Sequence, residues 1–180
     1  MPIPPGTYTF GPENGTLAVR TGRTGKAAKA GHDLLLHVTA WRATLEVGDG
    51  SVPLSLALDA DATSLRVREG TGGIKALGDD DRADIEQTID NEILKRQTIE
   101  FRSTSVHGEG SKLAVEGRLT LVGTTRPLAV DVEVDGDDGL KGSVVVKQSE
   151  WGMEPYSSLF GALKVADEVH VSFDGRLTSS

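Results

Sequence analysis

The dominant pattern along the chain is an alternation of apolar and polar residues with a period of two. Successive side chains of a β-strand point to opposite faces, so this alternation predicts strands with one face in a core and the other in water. The pattern is clearest at 52–59, 113–121, 128–135 and 169–177. Weaker copies occur at 8–10, 17–19, 34–38, 41–47, 99–105 and 140–146.

Short polar loops that contain glycine separate these segments. Connections this short join antiparallel neighbours, because a parallel crossover needs about a dozen residues or more. About eight strands joined in this way predict an all-β fold, either a closed barrel or a sandwich. The loops lie at 13–15, 48–50, 108–111, 123–125 and 135–139.

Two segments depart from the period of two and predict helical structure. Three isoleucines spaced four residues apart form one stripe of a helix over about 79–95. Three consecutive aspartates, Asp79–Asp81, stand at its start, where carboxylates cap free amides and face the positive end of the helix dipole. A short helical turn is expected near 155–163, beginning with Pro155.

Composition and charge narrow the class of protein. The 180 residues favour a single domain, 1–180, and the absence of cysteine excludes disulfides, thiolate catalysis and cysteine-ligated metals. The 19 basic and 27 acidic side chains leave a net charge of −8, which argues against a nucleic-acid partner. No apolar run is long enough for a transmembrane helix, and no secretory signal is recognised at the N-terminus, so we expect a cytoplasmic protein.

The side chains that could carry catalysis show no recognisable catalytic arrangement. The four histidines form neither a His-Glu-x-x-His zinc motif nor a partner for a Gly-x-Ser-x-Gly nucleophile, so we expect no enzyme and no cofactor. His32 precedes an apolar run, where it could bind a ligand head group or a metal. Base rates favour the other interpretation, a turn residue bonded to the backbone. Asp79–Asp81 fits a helix cap better than a metal site, so no metal is expected there.

The interior expected from the pattern is aliphatic. Inward strand positions carry mainly Val and Leu, and the whole chain has only eight Phe, Trp and Tyr residues. A barrel of about eight strands is either filled by its own side chains or holds one small ligand. A sandwich with an aliphatic core would have the same composition, so composition leaves both architectures open.

Four segments resemble the YceI-like family of polyisoprenoid-binding proteins. They are Ile-Glu-Phe-Arg-Ser-Thr at 99–104, a long strand–turn–strand sequence at 115–128, Glu-Trp-Gly-Met at 150–153 and Val-Ala-Asp-Glu-Val-His-Val at 165–171. The part from Leu119 to Pro127 is the most specific. The resemblance covers nearly the whole chain.

The resemblance implies an antiparallel eight-stranded lipocalin-like β-barrel with the helix packed near it. The barrel interior in this family holds a long apolar chain, such as an isoprenoid quinone, a polyprenyl phosphate, or a fatty acid or amide. The resemblance also implies a carrier or sequestering protein. Relatives are commonly dimers, so a homodimer is a further expectation that the residues themselves do not decide. Each buried methylene group contributes about 0.8 kcal/mol, so such a tail binds tightly with little polar recognition.

Candidate ligand contacts follow from the inward positions of the strands. The head-group candidates are His32, Arg126 and Tyr156, although hairpin geometry alone also explains Arg126 between Thr125 and Pro127. Two alternatives remain at this point: a haem- or metal-dependent barrel protein with His32 as ligand, and a scaffold or partner-binding protein with a filled barrel. The candidate lining residues are Leu34, Leu36, Val38, Trp41, Leu56, Phe101, Leu119, Leu121, Val144, Trp151 and Phe160.

Overall fold

The computed structural model describes residues 3–25, 32–72, 77–136, 138–158 and 163–177. These residues form an all-β fold with one α-helix, as the alternation predicts. The strands, in chain order, are β1 (Gly6–Phe10), β2 (Gly15–Thr21), β3 (Arg23–Thr24), β4 (Asp33–Val38), β5 (Trp41–Gly48), β6 (Val52–Ala60), β7 (Leu65–Thr71), β8 (Ile99–Glu109), β9 (Lys112–Leu121), β10 (Thr124–Asp135), β11 (Gly139–Lys147), β12 (Ser157–Ser158), β13 (Leu163–Val165) and β14 (Glu168–Arg176).

Eleven of these strands form one curled antiparallel sheet. Their order is β1-β5-β6-β8-β9-β10-β11-β14-β2-β4-β7, and the short strands β12, β13 and β3 form a second small sheet. The prediction of eight strands in the barrel is therefore wrong. The sheet extends further, to β1 at one edge and β7 at the other. Only Leu65 and Val67 alternate with polar residues in β7, so the pattern there is too short to predict a strand.

The helix is present where the isoleucine spacing predicts it. Helix α1 runs from Asp79 to Thr88 and continues as a π-helical segment over Ile89–Ile93. Asp81 caps the start of α1, because its carboxylate accepts a hydrogen bond from the Gly78 amide at 2.9 Å. The interpretation of this acidic run as a helix cap is thus confirmed for Asp81.

Helix α1 packs beside the edge strand β7. The Glu86 carboxylate accepts a hydrogen bond from the Val67 backbone amide at 2.9 Å. An edge strand presents backbone groups that no neighbouring strand pairs, so Glu86 satisfies one of them and ties the helix to the sheet.

The expected helical turn near 155–163 is wrong for the residues that the structure describes. Ser157 pairs with Lys164 across β12 and β13, and the Val165 amide donates to the Tyr156 carbonyl at 2.9 Å. Residues 159–162, in the middle of this segment, lie outside the described residues. Pro155 therefore precedes an extended segment rather than a helix, because pairing with β13 supplies backbone hydrogen bonds that a helical turn would compete for.

Gly117 on β9 permits a close approach between β9 and β8. A Cβ atom at this position would lie 2.5 Å from the Arg102 carbonyl oxygen and 2.6 Å from the Phe101 ring. Only glycine leaves the space that the Phe101 ring occupies.

We therefore expect Gly117→Ala to lower the free energy of unfolding by about 1–3 kcal/mol, the usual effect of overpacking. Denaturant titration measures this change. Gly22→Ala is the matched control, since a Cβ there meets only Ala166 Cβ at an ordinary 3.7 Å. Equal stabilities of the two variants would contradict the argument.

Candidate functional site

A cavity of about 440 Å³ lies inside the curled sheet, with α1 on one side. Ten of the eleven strands of the sheet contribute residues to its lining. The alternation along β10 shows why: Leu128, Val130 and Val132 line the cavity, whereas the intervening Ala129 and Asp131 are exposed. The space inside the curled sheet is therefore not filled by the described side chains.

The lining is almost entirely apolar. Aliphatic residues predominate, together with Phe101, Phe173, Met153 and Gly142. The remaining lining residues are polar: Thr21, Asp84, Thr88, Ser143, Gln148 and Tyr156.

An aromatic cluster borders the cavity. The rings of Phe10 and Phe173 pack edge to face with centroids 5.2 Å apart, and those of Trp41 and Phe173 do so at 5.6 Å. Phe173 contributes to the lining, whereas Phe10 and Trp41 lie behind it and are buried. Edge-to-face packing of this kind stabilises the three rings as a unit.

Trp151 holds the segment after β11 against β9. Its indole Nε1 donates to the Leu119 carbonyl at 2.8 Å, and the side chain is buried. Gly152 follows with φ of 73°, a left-handed conformation that suits glycine, and Met153 then enters the cavity lining. The Glu-Trp-Gly-Met segment therefore supports the cavity wall, and only its last residue lines the cavity.

Most of the predicted ligand contacts come together in the structure. Trp41 and Trp151 do not line the cavity, because each is packed into the wall behind it. Phe160 falls outside the described residues. The predicted residues that do line the cavity are Leu34, Leu36, Val38, Leu56, Phe101, Leu119, Leu121 and Val144.

The three head-group candidates are separated. Tyr156 lines the cavity with 44% of its surface exposed. Arg126 is exposed on β10 opposite Leu119 and does not line the cavity. His32 does not line it either, and lies next to Asp33, which forms an ion pair with Arg23 at 3.0 Å.

The histidines are placed away from the cavity. None of the four contributes to its lining. His37 faces outward on β4, where partial burial, followed by the charges of Arg68 and Arg20, lowers the pKa of its imidazole. Within the part of the chain that the structure describes, no group of three or more His, Asp or Glu residues is arranged to hold a metal ion.

Sequence reasoning missed the contribution of α1 to the site. Ile85, Ile89 and Ile93 line the cavity, as do Asp84 and Thr88 on the same face. The isoleucine stripe indicates a buried helix face but not what that face covers. Gln148 was missed as well, since a single polar residue between a strand and a loop has no distinguishing pattern.

Asp167 lies directly before β14 and binds Ser149, which lies shortly after the end of β11. Its carboxylate accepts hydrogen bonds from the Ser149 amide at 2.7 Å and from the Ser149 hydroxyl at 2.5 Å. These two bonds, the hydroxyl first, lower the pKa of Asp167 below its ordinary value. The contact joins the end of β11 to the start of β14 beside the cavity.

The pKa shift makes a pH-dependent prediction. The pKa of Asp167 is lower in the folded state than in the unfolded state. The ionised carboxylate therefore stabilises the fold fully above the unfolded-state pKa of about 4, and this stabilisation is lost as the pH falls through the folded-state pKa. Asp167→Asn should lower the free energy of unfolding by about 1 kcal/mol at pH 7, allowing for solvent screening, and by progressively less below pH ~4. Chemical unfolding at pH 7 and below pH ~4 measures the difference in unfolding free energy, with substitution of the exposed Asp131 by Asn as the control. A pH-independent difference would contradict the prediction.

No helix in the described ranges is both long enough and apolar enough to cross a membrane.

Comparison with known proteins identifies the family and the fold. The model for the YceI-like domain matches residues 9–177. Among solved structures, BcnA of Burkholderia cenocepacia aligns with a TM-score of 0.65 at 17% identity, covering 92% of this chain and 96% of that chain. A polyisoprenoid binding domain from Saccharophagus degradans, implicated in plant cell wall breakdown, aligns with a TM-score of 0.60 at 10% identity, covering 98% and 100% of the two chains.

A YceI protein of Campylobacter jejuni is also similar, with a TM-score of 0.61, 11% identity, and coverage of 81% of this chain and 85% of that chain. No match is found among the curated proteins. Identities this low show a shared fold, whereas the match of the family model extends over almost the whole sequence. On that match, the chain belongs to the YceI-like family.

Proposed function

We propose that this protein binds a long-chain apolar ligand inside the cavity and acts as a carrier or sequestering protein rather than as an enzyme. The observation that carries the proposal is the cavity of about 440 Å³ with its aliphatic lining. Its volume falls within the range of about 300–1,000 Å³ that is usual for ligand pockets. An apolar cavity of this size exposes surface that an apolar chain would cover favourably.

The expected affinity follows from the area that such a ligand would bury. At about 0.8 kcal/mol for each methylene group, ten buried methylenes contribute about 8 kcal/mol, before the cost of ordering the chain. A net binding free energy of that size would correspond to a dissociation constant of about 1 μM, and the cost of association makes the expected affinity for ten methylenes weaker than this. Longer tails bind more tightly as far as the cavity accommodates them.

The similarity to a polyisoprenoid binding domain supports an isoprenoid tail as the first ligand class to test. Fatty acids and fatty amides are the other long-chain candidates. Branched aliphatic chains suit a lining made largely of Leu, Ile and Val, because methyl groups on both surfaces can interdigitate.

The direct test is to identify what the purified protein carries. We expect native mass spectrometry, followed by solvent extraction and lipid analysis, to recover a bound long-chain lipid, and the emptied protein to take up a fluorescent fatty acid or an isoprenoid quinone. Recovery of no lipid together with no uptake of either probe would refute the proposal.

The location and the oligomeric state stay predictions. A cytoplasmic location is tested by cell fractionation, in which we expect the protein in the cytoplasmic fraction. A homodimer is tested by size-exclusion chromatography with light scattering, where the monomer mass is 19.0 kDa.

A further inference from the structure

We infer that the polar groups lining the cavity select a lipid whose terminal group is an uncharged hydrogen-bond donor, such as a hydroxyl, and that Asp84 is the residue that discriminates against an anionic terminal group. This inference rests on the proposed function, because it concerns the ligand of the same cavity.

Three of the polar lining residues lie at the same end of the sheet. Thr21 is the last residue of β2, and Gln148 directly follows β11. Both strands pair with β14, so their ends are close to each other. Tyr156 lies near the same end. Its carbonyl accepts a hydrogen bond from the Val165 amide, and the next residue, Ala166, donates to the carbonyl of Gly22 at 3.0 Å, directly after Thr21.

Gln148 offers the cavity an acceptor rather than a donor. Its side chain is only 7% exposed, and its amide nitrogen donates to the Ala166 carbonyl at 3.2 Å. Its amide oxygen accepts no hydrogen bond from any described residue. A largely buried acceptor without a partner favours a ligand that brings a donor.

Thr88 is likewise left as an acceptor on the cavity side of α1. Its hydroxyl hydrogen is used in the bond from Oγ1 to the Asp84 carbonyl at 2.9 Å. The lone pairs of Oγ1 remain available to a donor. Thr88 and Gln148 thus provide neutral acceptors, and both suit a hydroxyl.

Asp84 adds a negative charge to the same lining. It belongs to the exposed part of the lining and forms no ion pair with any described residue. A carboxylate accepts hydrogen bonds but repels a phosphate or a second carboxylate. Bringing such an anion beside Asp84 would cost free energy that a hydroxyl would not incur.

Two probes with the same tail test this selectivity: the C20 isoprenoid alcohol geranylgeraniol and its monophosphate. Each displaces a fluorescent lipid from the purified, delipidated protein at constant salt. We expect the alcohol to bind at least about tenfold more tightly. Asp84→Asn should strengthen binding of the phosphate about fivefold and change binding of the alcohol less than twofold.

The matched control is Asp80→Asn, which removes the same charge from the same helix at a position outside the cavity lining. Screening should keep its effect on the phosphate below about twofold. A preference for the phosphate, or equal effects of the two substitutions, would overturn this inference and leave the proposed function standing. Failure of both lipids to displace the fluorescent lipid would overturn this inference, whereas failure of the fluorescent lipid itself to bind would overturn the proposed function as well.

Discussion

Replacing Val144 by Trp is expected to weaken binding of a long-chain lipid by about 50-fold or more. Val144 points into the cavity from β11. An indole at that position would occupy space that the ligand tail needs. Displacing three methylene groups at about 0.8 kcal/mol each removes about 2.4 kcal/mol, which corresponds to that loss of affinity.

The neighbouring residue provides the control for this experiment. Val145 lies on the opposite face of the same strand and is 43% exposed. Val145→Trp should therefore leave lipid affinity within about twofold of the unchanged protein. Displacement of a fluorescent lipid measures both variants, and circular dichroism verifies that each keeps its sheet. Equal losses in the two folded variants would show that the cavity is not where the lipid binds.

Replacing Trp151 by Ala is expected to have the largest effect on stability, a loss of about 3–5 kcal/mol in the free energy of unfolding. Trp151 is only 2% exposed, and its indole supplies the hydrogen bond to the Leu119 carbonyl. The substitution removes the packing of the indole and leaves a buried carbonyl without its donor. Thermal or denaturant unfolding measures the change.

Trp151→Phe retains part of the packing. It keeps a six-membered aromatic ring and removes the pyrrole part of the indole together with its Nε1 donor, so the expected loss is smaller, about 1–3 kcal/mol. Because Trp151 lies outside the cavity lining, lipid affinity of the folded variant should stay within about twofold of the unchanged protein. If the folded Trp151→Phe variant lost much of its lipid affinity, Trp151 would have to be counted among the residues that contact the ligand.

The interior of the sheet could be predicted from the chain alone because alternation has a direct geometric meaning. Leu119 and Leu121 lie on one face of β9, and Leu34, Leu36 and Val38 lie on one face of β4; all five line the cavity. The sequence left open which face lines the cavity. On β4 the other face carries Leu35 as well as His37, so polarity alone does not separate the two faces there, and the tertiary structure made the choice. The two tryptophans were misplaced because periodicity indicates burial but does not distinguish a cavity wall from the packing behind it.

The tertiary structure decided which segments meet. Strand β7 has only two alternating apolar residues, and its place in the sheet depends on pairing with β4 and on the Glu86 carboxylate from α1. The segment after Pro155 became strand β12 because β13 offered a pairing partner. Contacts of this kind join residues far apart in sequence, and no local pattern records them.

By itself, the sequence determined an all-β chain with one helix, an aliphatic interior and the family motifs, since these depend on local periodicity and residue type. Only the tertiary structure decided that the interior is a cavity, that α1 covers one side of it, and that Asp84, Thr88 and Gln148 share its lining. The physical reason is that empty volume arises from how curved layers enclose space. A single strand or helix contains information about which face it buries, but not about the distance to the face opposite.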